Sequence, residues 1–112
     1  MKIAIPTADG RLCMHFGHSE QFALVEVEPD SSTIVGTAWL TPPLHEPGVL
    51  PRWLREQGAD VIIAAGMGRR AQNLFAQSGM KVVVGAPAEQ PEDIVAAYLS
   101  DTLEVGGNLC DH

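Results

Sequence analysis

Two uninterrupted apolar runs constrain this chain more than anything else in it: VIIAAG at residues 61–66 and KVVVG at residues 81–85. A strand covered on both faces reads as a continuous hydrophobic run, because neither set of alternating side chains meets water. Each run leads into a helical pattern. RRAQNLFAQSG (69–79) follows the first and closes at Gly79, a C-terminal cap. PEDIVAAYLSDTL (91–103) follows the second, with Pro91 near the first turn and Glu92 and Asp93 at the positive end of the helix dipole. Strands alternating with helices in this way predict parallel pairing with helices packed over the sheet.

The front half has a different character. KIAIPT (2–7) is a short buried strand that breaks at the turn-forming Asp9 and Gly10. QFALVEVE (21–28) and TIVGTAWL (33–40) are strand-like, and the short PDSS (29–32) connection between them predicts an antiparallel hairpin. After TPPLHEPG the period lengthens: Val49, Leu50, Trp53 and Leu54 share one helical face, opposite Arg52, Arg55 and Glu56. Pro47 and Pro51 confine the start of that helix, since proline is tolerated only in a first turn, and Gly58 caps its end. The predicted order is βββαβαβα: an α/β fold with a single mixed sheet of about five strands and helices on both faces. With 112 residues and 46% hydrophobic content, the chain reads as one domain, 1–112, that can bury a core without a disulfide framework.

Charge excludes several functions. A net charge of −7 with only seven Lys and Arg residues leaves no sustained basic face for nucleic acid or an anionic membrane. No apolar run approaches a membrane span and the N-terminus has no secretory core, so a cytoplasmic protein is expected, with Cys13 and Cys110 as reduced thiols.

In an open α/β sheet, ligands sit at the carboxyl ends of the parallel strands. Three segments are candidates for that edge. CMHFGH (13–18) brings Cys13, His15 and His18 just after the first strand. GMGRRA (66–71) turns a strand into a helix through Gly66, Met67 and Gly68 and adds the charges of Arg69 and Arg70. PPLHEPG (42–48) carries His45, at a position the sequence does not fix. Glycines at a helix start permit close backbone approach, and the exposed N–H groups with two guanidinium groups suit an anion. A lone match to G-x-G-x-x-A is weak evidence for a dinucleotide, because it lies mid-chain and the next strand, KVVVG, runs into Gly85 and Ala86 where a ribose would want an acid. Imidazole and thiolate are preferred by transition metals, and the tail adds Cys110 and His112 behind a Gly-Gly-Asn hinge. There is no C-x-x-C pair of a structural zinc site. Met14 and Met67 flank the two loops as packing groups.

MKIAIPT, HFGHSEQFALVEV, HEPGVLPRWL, GADVIIAAGMGRRAQNLF, VVVGAP and NLCDH together resemble the dinitrogenase iron–molybdenum cofactor biosynthesis family, which includes NifX, the C-terminal region of NifB and the orange protein. The resemblance spans nearly the whole chain. It implies a ribonuclease H-like fold, three antiparallel strands followed by βαβα. It also implies a non-catalytic role: binding or carrying a metal–sulfur cluster or its precursor, whether iron–sulfur, iron–molybdenum or molybdenum–copper sulfide, between donor and acceptor proteins. Clusters held by non-covalent contacts would draw on Arg69, Arg70 and backbone N–H groups. Clusters held by ligation would draw on Cys13, His15, His18, Cys110 and His112, with His45 ligating or donating.

Two rival classes predict different behaviour. A nucleotide or phosphate binder would use GMGRRA and ignore His15, whereas an interaction module would use Trp39, Trp53 or an exposed sheet edge. No Ser-His-Asp order or paired-carboxylate motif points to a hydrolase.

Overall fold

The computed structural model describes residues 1–14, 16, 19–28, 30, 33–43, 49–100 and 102–103. Its elements are β1 (Lys2–Ala8), β2 (Arg11–Leu12), β3 (Gln21–Glu28), β4 (Thr33–Leu40), α1 (Val49–Glu56), β5 (Val61–Ile63), α2 (Arg69–Gln77), β6 (Lys81–Val83) and α3 (Pro91–Leu99). The sheet runs β4-β3-β1-β5-β6, with β2 paired to β1 off that path. β1 pairs antiparallel with β3, and β3 with β4, while β1–β5 and β5–β6 are parallel. Apart from the short β2 and from α1, which comes before β5, this is the order of three antiparallel strands followed by βαβα that the family resemblance implies.

One element corrects the expected order. Asp9 and Gly10 both have positive φ, 54° and 79°, and connect β1 to β2 as a two-residue hairpin. Positive φ at both central positions matches the right-handed twist of the flanking strands, which is why Asp-Gly is favoured there. Only Thr7–Leu12 and Ala8–Arg11 pair, so the order is ββββαβαβα with a very short second strand. The regular parts of the predicted elements are also shorter. VIIAAG is regular only through Ile63 and KVVVG through Val83, before Gly85 turns the chain at φ 89°. The last helix ends at Leu99 rather than residue 103, because Thr102 N–H and Oγ1 both turn back to Ala97 O.

Side-chain alternation across the sheet makes two cores. Ile3, Ile5, Ala23, Val25, Val27, Val61 and Ile63 face α3, which contributes Ile94 and Val95. Ala4, Phe22, Leu24 and Ile62 face α1 and α2, which contribute Leu50, Leu54 and Phe75. Helices therefore cover both faces. Each fully buried aliphatic or aromatic side chain contributes about 1.5–3 kcal/mol of transfer free energy.

The topology also settles where the loops leave. β4 runs in the same direction as β1, with Leu40 beside Phe22 and Phe22 beside Pro6, so the chain leaves β4, β1 and β5 at one common edge.

Candidate functional site

At that common edge the loop after β1 and the turn after β5 are joined through their main chains. The Cys13 N–H donates to Pro6 O at 2.9 Å and the Glu20 N–H donates to Thr7 O at 2.8 Å, so the loop departs from and returns to the last turns of β1. Between those anchors the Phe16 N–H donates to Gly66 O at 2.9 Å. The Phe16 ring is a peg for this contact. It stands edge-on to Phe75 of α2 at 5.5 Å and to Phe22 of β3 at 6.1 Å between centroids. Such edge-to-face pairs add about 0.5–1.5 kcal/mol beyond burial and fix ring orientation.

The GMGRRA turn divides into an inner and an outer part. Gly66 is buried, and the Met67 side chain is wholly buried in the α1–α2 core, so Met67 presents only backbone to the edge. Its carbonyl accepts from Gln72 Nε2 at 2.8 Å. The Gln72 N–H donates to Gly68 O at 3.1 Å, so one side chain and one amide fix the turn to the first turn of α2. Gly68 is partly exposed, and Arg69 and Arg70 are exposed.

Gly68 is the helix N-cap, with φ −62° and ψ 153°, a conformation any residue adopts. A Cβ built there meets nothing within 4 Å. Neither backbone geometry nor crowding among the described residues explains a glycine at this position. Its effect is an N-cap without a side chain, on a helix with no acid in its first turn. The first N–H groups of a helix have no intrahelical acceptor, and together with the helix dipole they favour negative charge. Exposed Arg69 and Arg70 strengthen that field in a chain that is otherwise strongly acidic.

A further candidate donor lies in the adjoining loop. Ser19 is 9% exposed, and its hydroxyl has no hydrogen-bond partner among the described residues. A buried hydroxyl left unsatisfied costs about 1–3 kcal/mol. Its main chain is nevertheless fixed, because the Ser19 N–H donates to Phe16 O.

Cys13 is a thiol, 7% exposed, in the same loop. Met14 is 45% exposed at the rim. His15, His18, His45, Cys110 and His112 lie outside the described residues. Among the described residues no group of three or more His, Cys, Asp or Glu could hold a metal ion. Phe16, Ser19 and Gln72 are the residues that sequence reasoning passed over. The available signals were an aromatic side chain set between two polar loop positions and a glutamine one turn after the Gly68 cap.

Comparison with known proteins gives this edge a family. An uncharacterized protein of Methanocaldococcus jannaschii, MJ0580, is 31% identical over 109 residues, spanning 93% of this chain and 90% of its own. The crystal structure of PH0822 superposes with a TM-score of 0.85 at 29% identity, covering 95% of this chain and 96% of that one. The apo form of the orange protein from Desulfovibrio gigas shares the fold, with a TM-score of 0.70 at 19% identity over 96% of this chain and 93% of that one. The dinitrogenase iron-molybdenum cofactor family model matches residues 1–101, and the chain belongs to that family.

Proposed function

We propose that this protein binds and carries an anionic metal–sulfur cluster, or a precursor of one, at the edge formed by the loop after β1 and the start of α2. Gly68 carries the reading: a capping position where a side chain would meet none of the described residues instead places no side chain over the N-terminal turn of α2, beside the loop that is joined to Gly66. A sulfide cluster is large and multiply charged, so amide donors and guanidinium groups can hold it with few covalent bonds. In this reading the N–H groups at the start of α2, Arg69 and Arg70 meet the outer sulfides. Cys13, His15, His18, His45, Cys110 and His112 are the groups from which ligands to metal would come. Gly66 and Met67 set the turn. Binding and release, with no bond made or broken by the protein, fit a family associated with a cofactor rather than with catalysis. The cargo then arrives from one protein and leaves to another, in the cytoplasm.

The test is metal and acid-labile sulfide analysis, with an absorption spectrum, on untagged protein isolated without oxygen from its native host. Visible charge-transfer bands with stoichiometric metal and sulfide are expected, and their loss is expected in a His15→Ala, His18→Ala double variant that still folds. Full metal and sulfide stoichiometry in that variant would remove the histidines from the site. Metal-free, colourless protein that binds phosphate or nucleotide through Arg69 would replace the cluster reading with a phosphate one.

A further inference from the structure

The chain has six aromatic residues, and four of them stand in one edge-to-face series. Trp53 of α1 meets Phe22 of β3 at 5.8 Å between centroids and 74°, Phe22 meets Phe16 at 6.1 Å and 70°, and Phe16 meets Phe75 of α2 at 5.5 Å and 90°. Phe22 and Phe75 are core residues, wholly buried. Phe16 is only half-buried and stands in the middle of a loop. Its two ends on β1 are the Cys13 N–H bond to Pro6 O and the Glu20 N–H bond to Thr7 O, with residues 14–19 between them. In that interval the main chain of Phe16 is used on both sides, its N–H donating to Gly66 O at 2.9 Å and its carbonyl accepting from the Ser19 N–H at 3.2 Å. Edge-to-face packing fixes the orientation of a ring as well as burying it, so the ring ties this loop position to β3 and α2 together. In sequence, His15 adjoins Phe16, His18 is two positions on, and Cys13 is three positions back.

We infer that Phe16 is a positioning residue of the site: its ring, seated between Phe22 and Phe75, holds the loop that supplies Cys13, His15 and His18 against the Gly66 turn, and so sets that loop in register with the start of α2. The role rests on the cluster reading above and adds to it the group that keeps the two halves of the site together. A cargo met by groups from two chain segments is held tightly when those segments are already in place, because ordering a loose loop subtracts from affinity. Without the ring, both anchors on β1 remain, and the centre of the loop loses its seat. Phe16 touches no cargo atom in this role. It acts through the loop, as outer-shell groups around a metal act through its ligands, and loss of such a group typically costs about 10–100-fold in affinity.

The test compares wild-type, Phe16→Ala, Phe16→Leu and Tyr98→Ala proteins, each full-length and isolated without oxygen from the native host. Two quantities are read: the rate at which the charge-transfer bands fade in excess chelator, and backbone amide exchange. Phe16→Ala should release cargo about 10–100-fold faster and exchange the amide of residue 16 faster, while the amides of β1 and β3 stay as protected as in the wild type. Phe16→Leu keeps an apolar side chain in the seat and should fall between the two. Tyr98→Ala removes another half-buried ring, from the core on the opposite face of the sheet, and should release cargo at the wild-type rate, which separates positioning from a general loss of stability. Release at the wild-type rate from Phe16→Ala, or equally fast release from Tyr98→Ala, would overturn the inference. A wild-type protein without metal or sulfide would overturn the cluster reading itself and this role with it, a result distinct from a loaded Phe16→Ala protein that keeps its cargo.

Discussion

The two ends of α2 have opposite designs. At the C-terminal end the backbone is closed off. The Ser78 N–H donates to Leu74 O and Phe75 O, its hydroxyl donates again to Leu74 O, the Gly79 N–H donates to Ala76 O and the Met80 N–H to Phe75 O. Gly79 sits there at φ 85°, where a side chain would be strained. At the N-terminal end, Gly68 has an ordinary φ, its open side meets none of the described residues, and it supplies no capping side chain. One glycine is required by the fold and the other is not. The difference separates residues that hold the helix in place from residues that leave it able to bind.

Substitutions can break or sharpen that separation. Phe75→Ala removes the residue that anchors α2 and seats Phe16, and should cost about 3–5 kcal/mol in urea denaturation, loosening both ends together. A loss under about 1 kcal/mol would mean that Phe75 anchors neither. Gly79→Ala should cost about 1–2 kcal/mol through the left-handed backbone while leaving anion uptake by the folded protein unchanged. If uptake fell as well, the ends would be coupled rather than separate. Arg69→Ala should weaken binding of an anion more at low than at high ionic strength, because salt already screens the wild-type attraction. A salt-independent effect would assign Arg69 a structural role.

How far the sequence alone could be read follows from the range of the interactions involved. The apolar runs and amphipathic helices report burial, which each segment senses locally, and they led to the mixed sheet with helices on both faces. β2 escaped because two residues carry no periodicity, although Asp9-Gly10 is the dipeptide a tight hairpin favours. Regular β5 and β6 are shorter than their apolar runs because Ala64–Gly66 and Val84–Gly85 are buried or half-buried in turning backbone, where hydrophobicity no longer signals a strand. At the candidate site the chemistry of Gly68, Arg69 and Arg70 was visible in their types and spacing. The Phe16 bond to Gly66 and the buried Ser19 hydroxyl, without a partner among the described residues, were not, since both depend on residues that meet only after the sheet has formed.

Gly68→Asp tests at once whether Gly68 is surplus to the fold and whether it is necessary to the site. Aspartate is among the best N-cap residues, the φ and ψ already suit it, and its charge favours the helix dipole, so stability in urea should rise by about 0.3–1 kcal/mol. The same carboxylate fills the open space and repels an anion, so cluster uptake, read as sulfide and metal per chain, should be lost. A stabilised protein without cargo is the predicted result. A Gly68→Asp protein that takes up cargo at wild-type stoichiometry would contradict the central claim.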